Sequence, residues 1–145
     1  MKVLVDANVF ISFLLNPEPD RIPSRIVSAA FTGVFALQIS AELLDEIAHK
    51  VAAKPYLHAR IPESRRVSLF TQLRAATTVA DELAQPIPRV TRDPKDDYLI
   101  AHAIAEQVDV LVSGDRDLLA LDGTFPFRIL TPAAFAATLE ADQTP

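Results

Sequence analysis

The sequence contains no cysteine, and aromatic residues make up only 7% of its 145 residues. The absence of cysteine excludes disulfide bonds and thiolate metal sites. Half of the residues are hydrophobic and 23% are charged, a composition typical of a globular protein rather than a disordered one. The length is sufficient for one buried core, so we expect residues 1–145 to form a single domain.

The sequence also lacks a long apolar run. Its longest uncharged stretch, 26–41, contains serine, threonine, glycine and glutamine. This stretch is shorter than the ~20 apolar residues that a membrane-spanning helix needs. Near the N-terminus Asp6 interrupts the apolar run, which is unlike a signal peptide. We therefore expect a cytoplasmic protein without membrane association.

Positive charge is scarce overall and unevenly distributed. The net charge of -5 argues mildly against nucleic-acid binding, because lysine and arginine drive phosphate binding. Between Lys50 and Arg74, however, six basic residues stand against one acidic residue, Glu63. This segment predicts either a solvated helical face or a basic flank that holds a polyanion by its backbone.

Short apolar runs alternate with segments of helical periodicity along the chain. The runs at 2–6, 34–40, 109–113 and 127–130 are typical of buried parallel strands, with predicted helices between them. This order predicts a three-layer α/β/α fold with a mostly parallel central sheet. In open sheets of this kind, ligands bind beyond the carboxyl ends of the strands.

Acidic residues from separate segments fall near that edge of the predicted sheet. Asp6 ends the first strand, and Asp115 follows a later strand across a Ser-Gly turn. Glu46 lies on the helix after the second strand, where Glu42 is the more surface-directed residue by helical angle and Asp45 is no worse placed than Glu46. The helix that begins near residue 93 supplies further carboxylates at the same edge.

Converging carboxylates repel one another unless a cation compensates for their charge. Oxygen ligands without cysteine or clustered histidine suit Mg²⁺ or Mn²⁺. One or two such ions over a phosphodiester activate water and stabilise the leaving oxygen. The pattern therefore predicts metal-assisted phosphodiester hydrolysis.

The segment "RDPKDDYLIAHA" places three aspartates before an apolar run. Asp93, followed by Pro94 at the first helical position, is predicted to be an N-cap with Asp96 as its reciprocal partner. Taking about 100° per residue, Asp96 is at least as able as Asp97 to reach the crevice. Spacing alone leaves open which of the two is a ligand.

Five motifs, in order, resemble the PIN domain: "VDANVF", "SAELLDEI", "RDPKDDYLIAHA", "VDVLVSGDRDLLAL" and "ILTPAAF". The resemblance runs along nearly the whole chain and is closest to bacterial toxin-antitoxin PIN proteins, relatives of the VapC-type toxins. It implies a Mg²⁺- or Mn²⁺-dependent ribonuclease that acts on RNA. It also implies a homodimer held by a protein antitoxin.

The resemblance assigns the acidic residues one by one. The first-strand aspartate of the family matches Asp6, and the third acid, before an apolar "LIA" element, matches Asp97. Catalytic and metal-binding roles are thus expected for Asp6, Glu46, Asp97 and Asp115, with Asp96 as an alternate ligand. Supporting roles are expected for Asn8, Ser113 and Asp117, the last as N-cap of the helix that follows it.

Other functions remain open at this point. A phosphohydrolase of the haloacid-dehalogenase type wants a second aspartate two residues after the nucleophile, where this chain has Asn8, and a lysine without an obvious candidate here. A non-catalytic PIN-like module would bind RNA or a protein without cutting. A phosphorelay receiver domain needs a late lysine, and none follows Lys95.

Overall fold

The structure, a computed structural model, describes residues 1–80, 83, 87 and 89–143. Its five strands form one sheet in the order β3-β2-β1-β4-β5, and every pairing is parallel. The strands are β1 (Lys2–Val5), β2 (Ala36–Ser40), β3 (Val79–Ala80), β4 (Val110–Val112) and β5 (Arg128–Leu130). The helices of the described ranges are α1 (Ala7–Leu15), α2 (Ile22–Phe31), α3 (Ala41–Ala53), α4 (Pro55–Arg60), α5 (Glu63–Ala76), α6 (Pro94–Ala105), α7 (Arg116–Leu119) and α8 (Pro132–Gln143).

Alternate residues of the central strands enter different hydrophobic clusters. Val3 and Val5 pack with residues of α1, α2, α3, α5 and α8. Leu4, which points to the opposite face, packs with residues of α6 and α7. Helices therefore cover both faces of the sheet, and the predicted three-layer α/β/α fold is confirmed.

The carboxyl ends of β1 and β4 lie side by side. The Asp6 N–H donates to the Val112 carbonyl at 2.9 Å, and the Ser113 N–H donates to the Leu130 carbonyl at 3.0 Å. These bonds extend the parallel pairing one residue beyond each strand. Asp6 and Ser113 consequently leave the sheet at the same edge.

Side-chain caps start several of the helices. The Leu43 N–H donates to Ser40 Oγ at 3.2 Å at the start of α3, and the Ala134 N–H donates to Thr131 Oγ1 at 3.0 Å at the start of α8. The sequence predicts both caps, because Ser40 precedes a segment of helical periodicity and Thr131 precedes Pro132, and both are confirmed. Ser24, directly after Pro23, also predicts a helix start, but this prediction is wrong because α2 already begins at Ile22 and encloses Ser24 in its first turn.

Two elements have little signal in the sequence. The edge strand β3 is two residues long, too short to show alternation. Pro55 predicts the end of the preceding helix, and α3 does end at Ala53, but a further helix, α4, begins at Pro55, since proline is also favoured at a first helical position.

The prolines of residues 85–94 predict a loop that excludes a central strand, and this segment lies partly outside the described residues. Within the described part of the chain, no helix is long and apolar enough to cross a membrane.

The C-terminal helix is part of the main core, which predicts a large cost for removing its anchor. Phe135 is fully buried, and its ring meets that of Phe35 edge to face with centroids 5.2 Å apart. We expect Phe135→Ala to lower the free energy of unfolding in denaturant by about 3–5 kcal/mol. Phe125→Ala is the matched control and should cost clearly less, because that ring is only partly buried. Equal losses for the two variants would contradict this packing.

Candidate active site

Asp6 is the most firmly held carboxylate at the carboxyl edge of the sheet. Its side chain is only 5% exposed, and it caps α1 by accepting from the Asn8 N–H at 3.5 Å. The Ser113 hydroxyl donates to Asp6 Oδ2 at 2.7 Å. The same hydroxyl oxygen accepts from the Asp115 N–H at 3.0 Å. Ser113 therefore links the end of β1 to the turn after β4.

Asp115 caps the short helix α7. Its Oδ1 accepts from the Asp117 N–H at 2.8 Å. The prediction that Asp117 is the cap is wrong, since Asp117 contributes its backbone N–H while its side chain is exposed. The capping contact fixes the Asp115 carboxylate beside β4.

Asp96, at the start of α6, turns its carboxyl toward these two residues. Burial and the negative charges of Asp115, Asp93 and Asp6 together raise the pKa of Asp96 to about 7. A hydrogen bond with the Asp115 side chain also favours the protonated form. Asp6, Asp96 and Asp115, from three separate elements, thus form one group, called the acidic cluster below.

Asp97 lies on the other side of α6 and is not part of this group. Its Oδ1 accepts from the Val90 N–H at 2.9 Å, the Thr91 N–H at 2.7 Å and the Thr91 hydroxyl at 3.0 Å. Burial acts to raise the pKa of Asp97, but these bonds and the nearby Arg89 guanidinium hold it below its ordinary value. The structure therefore turns Asp96 toward the cluster, as the helical angle allows, and the choice of Asp97 as the metal ligand stays a prediction from the resemblance.

The different surroundings of Asp96 and Asp97 have a simple physical reason. Adjacent residues on a helix point about 100° apart, so only one of Asp96 and Asp97 faces the sheet edge. Asp93 caps α6 as predicted, with its Oδ1 accepting from the Lys95 N–H at 2.9 Å. The reciprocal bond expected from Asp96 is absent among the described contacts, because the Asp93 N–H donates to Thr91 Oγ1 instead.

Glu46 lies beside the acidic cluster and is paired with a lysine of its own helix. Lys50 Nζ lies 3.5 Å from Glu46 Oε1 and donates to Asn8 Oδ1 at 3.2 Å. Burial raises the pKa of Glu46; the Lys50 and Lys95 ammonium groups oppose the rise and the Asp6 charge adds to it. Sequence reasoning placed Lys50 only in the basic segment, although its i, i+4 spacing from Glu46 is a usable signal.

A groove of about 440 Å³ opens next to Glu46, between α3 and α6. At its wall His102 Nε2 lies 3.0 Å from Glu42 Oε2, and His102 is almost fully buried. The expectation that Glu42 is a surface residue is wrong, since one of its oxygens is buried without a partner among the described atoms. Nothing in the sequence links these residues, which are 60 positions apart.

The basic segment does not form one free cationic face. Lys50 points into the site, and Arg65 donates to the Leu14 carbonyl at 2.7 Å. Arg66 and Arg74 both lie over the Phe70 ring, at 5.3 and 5.8 Å from its centroid. The segment's charges are thus divided among several local contacts.

The acidic cluster suits a divalent cation by its chemistry. It offers carboxylate oxygens only, and burial and like charge raise the pKa of one member, Asp96, to about 7, a rise that a bound cation would oppose. Within the described ranges, no three acidic or histidine side chains already converge as a finished metal cage. Binding therefore requires the carboxylates to draw closer together.

The chain is similar in sequence to known proteins over the region that contains these residues. A family model described as "PIN domain" matches residues 2–117. The chain is also 28% identical over 121 residues to "Uncharacterized protein MJ1680" of Methanocaldococcus jannaschii, an alignment that covers 83% of this chain and 75% of that protein. The acidic cluster, Glu46 and Lys50 all lie within the matched region.

The raised pKa of Asp96 predicts that the metal-free protein loses stability as the pH rises. In the unfolded chain Asp96 ionises near its ordinary pKa of 3.8, whereas in the folded protein it keeps its proton to about pH 7. Its contribution is complete below the lower value and is lost as the pH rises to the upper one. In EDTA, the free energy of unfolding of the wild type should fall across this window relative to that of Asp96→Asn. Parallel curves for the two proteins would show that Asp96 keeps an ordinary pKa.

Proposed function

Because the chain belongs to the PIN domain family, whose members are generally nucleases, we propose that it is a metal-dependent endoribonuclease. The carrying observation is the acidic cluster, in which carboxyl groups from three elements converge and two of them, Asp6 and Asp96, are buried. Bringing carboxylates together without a compensating charge costs free energy, so their association points to a cation. The alternatives of a phosphohydrolase or a non-catalytic module have no comparable support.

The residues take distinct roles in this proposal. Asp6, Asp96 and Asp115 hold Mg²⁺ or Mn²⁺, with Glu46 at the margin of the site. When bound, the ion lowers the pKa of water and stabilises the leaving oxygen of the phosphodiester. Ser113 holds Asp6 in place through its hydroxyl, and Asn8 positions Lys50 through its side-chain oxygen. Cleavage leaves 5′-phosphate and 3′-hydroxyl ends, as in the ribonucleases that the chain resembles.

A role as the toxin of a toxin-antitoxin pair is the finer proposal, and it rests on the motifs that resemble the VapC-type group. In that role the protein acts in the cytoplasm as a homodimer and is held by a protein antitoxin. A small reading frame overlapping the gene, whose product binds this chain and blocks RNA cleavage, is the observation that would support it. Growth unaffected by expression of the active nuclease would count against it.

Amide substitutions test the carboxylates without removing the caps. We expect Asp6→Asn and Asp96→Asn to lower Mn²⁺-dependent cleavage of a mixed RNA pool by about 10²-fold or more, the scale of losing one preorganised charge. Asparagine still caps a helix, so Asp6→Asn should stay folded. Asp97→Asn is the matched control, because its side-chain oxygen still accepts from Val90 and Thr91.

The control should therefore keep most of the cleavage activity, with circular dichroism verifying the fold of all three variants. An inactive Asp97→Asn beside an active Asp96→Asn would reverse the assignment within α6. Full activity in both Asp6→Asn and Asp96→Asn would sink the proposed site. Absence of Mn²⁺ binding by calorimetry would favour a non-catalytic module.

Ser113 provides a milder test, since it touches the cluster through Asp6. Ser113→Ala removes the 2.7 Å bond to Asp6 and leaves the carboxylate with its capping bond from the Asn8 N–H. Loss of such a supporting bond typically costs about 10–100-fold in metal affinity or activity. The Mn²⁺ concentration needed for half-maximal cleavage should rise, and exposed Ser68→Ala should leave it unchanged. An unchanged requirement in Ser113→Ala would show that the bond does not position Asp6.

A further inference from the structure

Lys50 is a cation built into the margin of the acidic site. We propose that it acts as a positioning residue that occupies the Asn8–Glu46 side with a fixed ammonium charge, so that each chain takes one divalent ion, at the acidic cluster. This inference rests on the proposed function and goes beyond it, because the proposed function leaves open whether one ion or two are bound. It concerns a lysine that the sequence motifs do not include.

The contacts of Lys50 hold its charge in one place. Its side chain is 17% exposed and that of Glu46 is 14% exposed, so both lie largely out of solvent. The ammonium group is held between two acceptors, Asn8 Oδ1 at 3.2 Å and Glu46 Oε1 at 3.5 Å. Lys50 and Glu46 lie one turn apart on α3, so their contact does not depend on the position of α6.

The two halves of the site differ in how their charge is balanced. Glu46 has Lys50 beside it, with Nζ 3.5 Å from Oε1. No described salt bridge joins a member of the acidic cluster to a lysine or arginine. Uncompensated negative charge is therefore concentrated at the cluster.

A divalent ion at Glu46 would have to displace Lys50 or share the carboxylate with it. Two cations within a few ångströms repel each other strongly in a partly buried site. An ion at the acidic cluster meets no such repulsion from a paired lysine. The electrostatics thus favour one ion at the cluster, with Lys50 supplying the second positive charge.

Calorimetric titration of the full chain with Mn²⁺ tests this directly. We expect one ion per chain for the wild type and for Lys50→Arg, which keeps the charge. Lys50→Met removes the charge and leaves Glu46 beside Asp6 without a cation, so the stoichiometry should shift from one ion to two. The dependence of RNA cleavage on Mn²⁺ should change in the same variant from hyperbolic to sigmoidal.

Lys54→Met is the matched control for the titration, since Lys54 is an exposed lysine one turn further along. Lys50→Gln replaces Lys50→Met if circular dichroism shows that the methionine variant is unfolded. Two ions in the wild type would overturn the inference, as would a single ion of unchanged affinity in the neutral variant. A wild type that binds one ion but cuts no RNA would sink the proposed function while leaving the charge assignment of Lys50 standing.

Discussion

The association of like-charged carboxyl groups at the carboxyl edge of the sheet is the constraint on which the site depends. Asp96 lies within hydrogen-bonding reach of Asp115 and within the electrostatic influence of Asp6. Without a compensating charge such a group is unfavourable, and bonds to Ser113 and to helix N-termini stabilise Asp6 and Asp115. Burial and the neighbouring negative charges raise the pKa of Asp96 to about 7, so this member accepts a proton more readily than an ordinary aspartate.

The adjacent aspartates of α6, Asp96 and Asp97, have different partners because they lie about 100° apart around the helix. Asp96 faces the sheet edge and shares its charge with the cluster, whereas Asp97 accepts three bonds from residues 90 and 91. Those bonds fix the segment that leads into α6, and with it the angle at which Asp96 enters the site. Asp97 is thus tied to the site through the backbone rather than through a shared ligand.

Much of this arrangement could be predicted from the sequence because it follows from local rules. A strand that ends in Asp6, and a Ser-Gly turn before Asp115, place both carboxylates at one edge of any parallel sheet. The choice between Asp96 and Asp97 could not be settled, since it depends on the rotation of α6 about its axis, which long-range packing of Leu99, Ile100 and Ala103 determines. The pairing of Glu42 with His102 joins two helices, and no periodic pattern in the sequence indicates it.

Lys50 and Asp96 approach the site from different layers of the fold. The Lys50 ammonium group is fixed on α3, which packs within the main core, whereas Asp96 enters from α6, which packs on the opposite face of the sheet. A bound divalent ion would pull on Asp96 and Asp115 but not on the Asn8–Lys50–Glu46 contacts, which are already balanced. Any adjustment on binding would therefore fall on α6 and on the turn after β4, while the contacts on α3 would stay as they are.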